Sequence, residues 1–125
     1  MPCEWDEGRI TPSPFHYEDA AKTILTGADE DFLVGEVTLA SSVKKIKQYA
    51  FYEHTSNDWS VVIPDSVETI EEAAFRNSRL QNVTFGTGLK TIGDYAFAYN
   101  NYCTFNQLPN TVESIGTYAF ASCQL

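Results

Sequence analysis

Hydrophobic residues recur along most of the chain with a spacing of 22 to 24 positions. Each repeat carries the dipeptide Ala-Phe, an isoleucine five residues before the phenylalanine, and a valine or leucine three residues before that isoleucine. The phenylalanines of this column are Phe51, Phe75, Phe97 and Phe120. A unit of this length cannot bury its own apolar side chains, so neighbouring units must stack. The pattern therefore predicts a repeat solenoid.

A second apolar cluster lies between these blocks and alternates with a period of two, as half-buried strands do. It is clearest in Val61–Ile63 and Val83–Phe85, and turn-forming residues follow directly in Pro64–Ser66 and Gly86–Gly88. After each turn, the segment that contains Ala-Phe returns the chain along the far side through a short strand and tight turns. We expect a right-handed coil whose short parallel strands stack about 4.8 Å apart.

The form Val-x-x-Ile-Gly-x-x-Ala-Phe is intact at Val112–Phe120 and, with leucine first, at Leu89–Phe97. Together with the Ile63–Pro64 pair at a strand end, and with Cys123 three residues after a phenylalanine, it resembles the BspA-like leucine-rich repeat. The resemblance covers residues 32–125. It implies a leucine-rich-repeat solenoid of about four units, the last one incomplete.

Two columns of this chain depart from the family motif. Lys47 and Glu71 replace the glycine in the first two units, and the cysteine is replaced by three polar residues, His54, Ser78 and Asn100. These side chains predict that the cysteine column satisfies backbone groups of a turn rather than forming disulfides. The chain has three cysteines, an odd number with no Cys-x-x-Cys spacing, which indicates free thiols and no zinc knuckle.

Residues 1–31 differ from the repeats and are expected to form an irregular acidic segment or cap. Within residues 1–36 there are nine acidic and two basic residues. Thr23–Leu25 and Phe32–Val34 look like either an initial hairpin or a degenerate coil. Such an element would cover the first strand of the solenoid, as terminal units of repeat proteins do.

Composition narrows the classes of partner. The chain has 125 residues, with 17 acidic and 8 basic side chains and a formal net charge of −9. Nucleic acids and anionic membranes need clustered Lys and Arg, so neither is an expected partner. No apolar run approaches the roughly 18 residues of a membrane span, and the acidic stretch Met1–Glu7 predicts no signal peptide.

Candidate chemistry is sparse. The two histidines, His16 and His54, lie in no catalytic or metal-binding motif, and the sequence has no phosphate-binding glycine loop. Asp29–Asp31 offers carboxylates without the alternating spacing of an EF-hand, so a solvated acidic loop is the preferred interpretation. The sequence predicts no enzyme, no cofactor and no metal site.

Aromatic residues cluster around the Ala-Phe pairs and predict a protein-contact surface. Its expected members are Tyr49, Tyr52, Trp59, Tyr95, Tyr99, Tyr102 and Tyr118. Tyr and Trp are favoured anchors of protein interfaces, whereas the same periodicity also suits rings that merely cover the coil edges. Both interpretations stay open at this point.

The fourth unit stops at Leu125, where a new strand would begin. An uncapped coil exposes one face of its core and a strand edge, so we expect an open stacking face. Its residues are Leu108, Ile115, Phe120 and Leu125. The face would accept the rest of a longer array, a second copy or another subunit. A longer array is preferred over a homodimer because heterologous stacking matches how the coils pack.

The resemblance also implies a function: an adhesin-like surface module that binds host or matrix proteins or other cells, with a cell-surface or secreted location. The alternative is a structural or scaffold subunit packed inside a larger multiprotein complex. A signal peptide upstream of Met1 would favour the adhesin, and a native start at Met1 would favour the scaffold.

Overall fold

Each repeat contributes one strand to each of two sheets. The computed structural model describes residues 14–54 and 57–123, and within them the chain forms ten short strands and one 3-10 turn. The strands are β1 (Phe15–Tyr17), β2 (Ile24–Ala28), β3 (Gly35–Thr38), β4 (Lys45–Ile46), β5 (Trp59–Val62), β6 (Thr69–Ile70), β7 (Leu80–Thr84), β8 (Thr91–Ile92), β9 (Thr104–Phe105) and β10 (Ser114–Ile115). The 3-10 turn is Glu30–Phe32.

The two sheets run along the stack of coils. One has the order β3-β5-β7-β9 and is parallel throughout, and the other has the order β1-β2-β4-β6-β8-β10. In the second sheet only β1 is antiparallel to its neighbour. Register follows the repeat, since Ile46 pairs with Ile70 and Ile70 pairs with Ile92. The predicted solenoid of about four coils with short parallel strands is thereby confirmed.

A third set of hydrogen bonds joins the coils at the Ala-Phe turns, and we call it the turn ladder. The N–H groups of Tyr49, Phe51 and Glu53 donate to carbonyls of the next coil at 2.7 to 3.0 Å. The accepting carbonyls are those of Glu72, Ala74 and Arg76, and the set recurs from the second coil to the third and from the third to the fourth. In the turn ladder every such N–H points towards the C-terminal neighbour and every accepting carbonyl points back.

The turn ladder depends on left-handed backbone at fixed columns. Tyr49, Ala73, Tyr95 and Tyr118, which stand two residues before each phenylalanine, have φ between 56° and 60°. This conformation costs roughly 1–2 kcal/mol for a residue other than glycine. Because each turn ladder bond also satisfies an otherwise unpaired peptide group, the stacked coil offsets that cost.

The phenylalanine column fills the centre of the stack. Successive rings of Phe51, Phe75, Phe97 and Phe120 lie 5.0, 5.1 and 5.5 Å apart and within 14° of parallel. Phe75 and Phe97 are fully buried, as are the isoleucines of the first three repeats. The burial of these side chains from water is the main stabilising contribution to the stack.

The polar column after the phenylalanines lies inside the coil, where His54, Ser78 and Asn100 are buried. Asn100 Oδ1 accepts hydrogen bonds from the N–H groups of Ser78 and Leu80, both at 3.1 Å. Its Nδ2 donates to the carbonyls of Phe75 and Phe97 at 2.8 and 2.9 Å. The predicted role of this column in satisfying turn backbone is therefore confirmed at Asn100. Cys123, in the same column, is a free thiol that donates to the Phe97 carbonyl at 2.9 Å.

The N-terminal part adds a half coil and a closing strand. β2 pairs in parallel with β4, so it takes the place of a preceding repeat, and β1 then folds back antiparallel against β2. Of the two alternatives for Thr23–Leu25 and Phe32–Val34, the structure therefore supports the degenerate coil. The hairpin that does exist joins β1 and β2. The buried side chains of Leu25 and Leu33 extend the hydrophobic core into this half coil. Residues 1–13 lie outside the described residues. The boundary at residue 31 stays a prediction.

We expect Phe97→Ala to lower the free energy of unfolding by about 3–5 kcal/mol, because it empties the space between two stacked rings. Urea unfolding measures the change. Tyr102→Ala is the control: this side chain is 76% exposed, so its removal should change stability by no more than about 0.5 kcal/mol. Equal stabilities of the two variants would show that the phenylalanine column does not form the core.

Asn100→Ala should lower the free energy of unfolding by at least about 2 kcal/mol, because buried N–H and carbonyl groups lose their partner. The exposed neighbour Asn101 provides the matched control, and Asn101→Ala should stay within about 0.5 kcal/mol of the wild type. Thermal unfolding of the two variants and the wild type measures both changes in stability. If Asn100→Ala is as stable as Asn101→Ala, its hydrogen bonds do not hold the turn.

Candidate protein-binding surfaces

Five of the predicted tyrosines form one continuous surface with an arginine. We call it the tyrosine–arginine strip, and its members are Tyr49, Tyr52, Arg76, Tyr95, Tyr99 and Tyr118. Tyr49 and Tyr52 pack edge to face with centroids 5.2 Å apart, and Tyr95 and Tyr118 lie 5.5 Å apart. Arg76 joins the two pairs, so the strip crosses all four coils.

Arg76 lies among three rings at the middle of the strip. Its guanidinium carbon is 5.7, 5.4 and 5.2 Å from the ring centroids of Tyr52, Tyr95 and Tyr99. Each such cation–π contact contributes about 0.5–1 kcal/mol at an exposed site. Together these contacts favour one orientation of the Tyr52, Tyr95 and Tyr99 rings over free rotation in solvent.

The fold explains why the rings lie in a row. Tyr49, Tyr95 and Tyr118 occupy the left-handed column of the turn ladder, and Tyr99, with φ of 65°, occupies the next one. Backbone hydrogen bonds to neighbouring coils hold this column in position. In the second coil the column carries Ala73, and Arg76 of that coil lies against the tyrosines of the coils on either side.

The strip is accessible to a partner. Four of its tyrosines have between 38% and 63% of their surface exposed, and Tyr95 is half-buried. Such rings present flat, rigid area with hydroxyl groups at the rim, which is the chemistry that protein interfaces favour. Sequence reasoning missed Arg76, because it occurs once in a column that otherwise holds Tyr52, Ala98 and Ala121.

Trp59 does not belong to this surface, and the prediction that placed it there is wrong. Its side chain is 1% exposed, its ring packs against Phe51 at 5.3 Å, and its Nε1 donates to the Ser78 carbonyl at 2.6 Å. Trp59 stands two residues before Val61 on β5, and alternate residues of a strand share a face. The inward position of Val61 therefore carries Trp59 into the core.

Tyr102 is the most exposed of the predicted tyrosines and lies beyond the strip. It lines a polar cavity of about 380 Å³ together with Tyr99, Asn77 and the ion pair between Arg79 and Asp58, whose nearest atoms are 2.8 Å apart. The cavity connects Tyr102 to Tyr99, one of the tyrosines of the strip.

A second surface lies at the C-terminal side of the fourth coil, and we call it the end groove. It has a volume of about 590 Å³ and is lined by Phe85, Thr104, Phe105, Asn106, Leu108, Ile115 and Phe120. Ile115 is 49% exposed, whereas its counterparts in the first three repeats are buried. Three of the four residues predicted for the open face thus line one groove, and the fourth, Leu125, lies outside the described residues.

The described ranges 14–54 and 57–123 also contain histidine, cysteine and carboxylate side chains outside these two surfaces. No group of three or more His, Cys, Asp and Glu side chains there is placed to hold a metal ion. His16 Nε2 lies 2.9 Å from Asp29 Oδ1, so one carboxylate of the acidic loop makes a contact at the surface. Burial raises the pKa of Cys103 to about 12 and also raises the pKa of Cys123, so both thiols are poor nucleophiles. In these ranges no helix is long and apolar enough to cross a membrane.

The raised pKa of Cys103 predicts slow alkylation. A thiol with a pKa of about 12 has roughly a thousandth of the thiolate of an ordinary cysteine at pH 8, so Cys103 should react at least about 100-fold more slowly in the folded protein than in urea. The rate should rise about tenfold for each pH unit up to pH 10, because the thiolate fraction does. Mass spectrometry after timed iodoacetamide treatment measures the alkylation rate of each cysteine. Equal rates in the folded and unfolded chain would contradict the buried position.

The comparisons with known proteins agree with the repeat solenoid fold. The family model for the BspA type leucine rich repeat region matches residues 30–125 in six copies. Among solved structures, a T. pallidum leucine-rich repeat protein, TpLRR, is similar, with a TM-score of 0.61 and 24% identity over 89% of this chain and 66% of that one. The chain therefore spans about two thirds of the length of TpLRR, and the likeness shows a shared fold. No curated protein matches the sequence.

Proposed function

Because the chain belongs to the BspA-type leucine-rich repeat family, we propose that it is an adhesin-like recognition module without enzymatic activity, which binds other proteins through the tyrosine–arginine strip. Leucine-rich repeats generally serve protein interaction, which supports the recognition role. The observation that carries the proposal is the position of Arg76 among Tyr52, Tyr95 and Tyr99. It makes separate surface tyrosines into one ordered surface.

Order in the free protein favours binding. Association normally costs free energy because interface side chains lose rotamer freedom, and rings that are already fixed lose less. Tyrosine and arginine are also the residues most often found as energetic anchors of interfaces. The strip therefore has the composition and the rigidity of a binding surface, which favours this interpretation over rings that only cover the coil edges.

Charge around the strip indicates the complementary partner surface. Glu72 and Asp94 are exposed and stand directly before the left-handed column of the second and third coils. With a net charge of −9 on the whole chain, a partner with a flat apolar centre and basic groups at its rim is complementary. Matrix proteins with basic patches meet this description.

The alternative function, a scaffold subunit inside a larger complex, is favoured by the end groove. Its exposed Ile115 and half-buried Phe120 are the kind of apolar surface that a permanent neighbour would cover. Labelling of intact source cells with an impermeant biotin reagent separates the two functions. The adhesin is labelled on intact cells, whereas the scaffold is labelled only after lysis.

We expect the double variant Tyr49→Ser/Tyr118→Ser to bind at least about tenfold more weakly than the wild type to any matrix protein that the wild type binds. Biolayer interferometry against a panel of purified matrix proteins measures this. Both side chains are exposed, so the fold should persist, and circular dichroism checks it.

The matched control is Tyr102→Ser, which removes an exposed tyrosine outside the strip and should change binding by less than about twofold. If the double variant binds as tightly as this control, the strip is not the binding surface. If the wild type binds no member of the panel, the adhesin-like function is wrong.

A further inference from the structure

The polar cavity beside Tyr102 arises because the turn of the second coil is shorter than the turns on either side. In the second coil one residue, Arg79, separates the buried polar column from the next buried hydrophobic residue. Two residues separate them in the third coil and four in the first. The longer turns therefore form the walls of the cavity, and the short turn forms its floor. All residues that line it lie between Asp58 and Tyr102.

A β-bulge at Gln81 follows the short turn. Trp59 of β5 pairs with Leu80 of β7, and Ser60 pairs with Asn82, so Gln81 has no residue opposite it. A bulge changes the direction of the side chain that it carries, and here Gln81 is exposed and lines the cavity. The bulge thus adds an amide side chain to the space that the short turn leaves.

The backbone around the cavity is fixed by the hydrogen bonds of Asn100 and of the turn ladder. The side chain of Asn100 accepts from the N–H groups of Ser78 and Leu80, one at each end of the short turn. Asn77 and Tyr99 have left-handed backbone, with φ of 51° and 65°, and each donates its N–H to the next coil at 2.8 Å. A site on fixed backbone loses little conformational freedom when a ligand binds.

The cavity is polar but carries no net charge. Its two ionised side chains, Arg79 and Asp58, neutralise one another through contacts of 2.8 and 2.9 Å. The side-chain amides of Asn77, Gln81 and Asn101 are exposed and form no hydrogen bond with the described residues. An amide can donate and accept at the same time, and so can a sugar hydroxyl. This lining therefore matches a neutral, hydroxyl-rich ligand better than an ion.

Two tyrosine rings complete the lining. Tyr99 is 41% exposed, and Tyr102 is the more exposed of the two. The face of an aromatic ring carries partial negative charge, so it attracts the polarised C–H bonds that a sugar ring presents on its faces. Arg76 lies 5.2 Å from the centroid of the Tyr99 ring and favours one orientation of it. Flat rings beside exposed amides are the chemistry that recognises a carbohydrate.

We propose that the polar cavity binds a short neutral oligosaccharide. The cavity volume of about 380 Å³ lies at the lower end of the range of ligand pockets, about 300–1,000 Å³, which suits a disaccharide better than a longer chain. Sugar hydroxyls bind the amides of Asn77, Gln81 and Asn101, and one face of the sugar packs on a tyrosine ring. The proposal goes beyond the protein-binding function and shares only Tyr99 with the tyrosine–arginine strip, so either can fail alone.

Two-dimensional NMR of the isotope-labelled full chain tests the proposal, with lactose, maltose, cellobiose and diacetylchitobiose as probes. We expect at least one of these disaccharides to shift the side-chain amide signals of Asn77, Gln81 and Asn101. The shifts should saturate with a dissociation constant below about 10 mM.

The double variant Gln81→Ala/Asn101→Ala removes two of the amides and should raise that dissociation constant at least about fivefold, because each lost hydrogen bond weakens binding by a factor of about 2 to about 10. The matched control is Gln48→Ala/Asn110→Ala, which changes the same residue types outside the cavity and should stay within about twofold of the wild type. All four side chains are exposed, and thermal unfolding checks that both variants fold.

Each other outcome contradicts the proposal. No shift with any of the four disaccharides at about 50 mM would show that the cavity does not bind neutral sugars. Equal shifts with glycerol would show unspecific contact with polyols. Tighter binding of sulfated lactose than of lactose would assign the cavity to an anionic ligand of Arg79. Equal affinities of the two double variants would place the sugar at another surface.

Discussion

The structure depends on one constraint: the peptide groups and apolar side chains of a coil find their partners mainly in the next coil. Strand pairs in two sheets and the turn ladder carry hydrogen bonds from coil to coil, and the phenylalanine column is stacked between them. A coil of 22 to 24 residues has no core of its own, so order in one coil requires order in its neighbour. Stability is therefore shared along the stack rather than localised in one unit.

The tyrosine–arginine strip and the end groove both follow from that constraint. The turn ladder holds tyrosines in left-handed backbone that few other contexts would stabilise, and it aligns them at the spacing of the coils. The same ladder has a direction, with N–H groups on one side and carbonyls on the other. Within the described residues, the C-terminal side of the fourth coil consequently displays donors beside the end groove, so the tyrosine–arginine strip and the end groove both follow from the same repeated turn.

Features that recur in every repeat could be predicted from the sequence, and features that occur once could not. The phenylalanine column and the turn-satisfying role of Asn100 follow from columns with four members. Arg76 stands alone in its column, so only the folded position of the tyrosines around it shows its role. Trp59 was misplaced for a related reason: its face is set by the register of β5 relative to Val61. The β1–β2 hairpin likewise breaks the period and leaves no repeated signal.

Hydrogen exchange of individual backbone amides tests the dependence of each coil on the next most directly. Phe51, Phe75 and Phe97 each donate to the following coil, whereas the N–H of Phe120 has no acceptor in the described part of the chain. In dilute protein, the account predicts strong protection of the first three amides and exchange of the Phe120 amide at least about 100-fold faster. Equal protection of Phe97 and Phe120 under those conditions would contradict it.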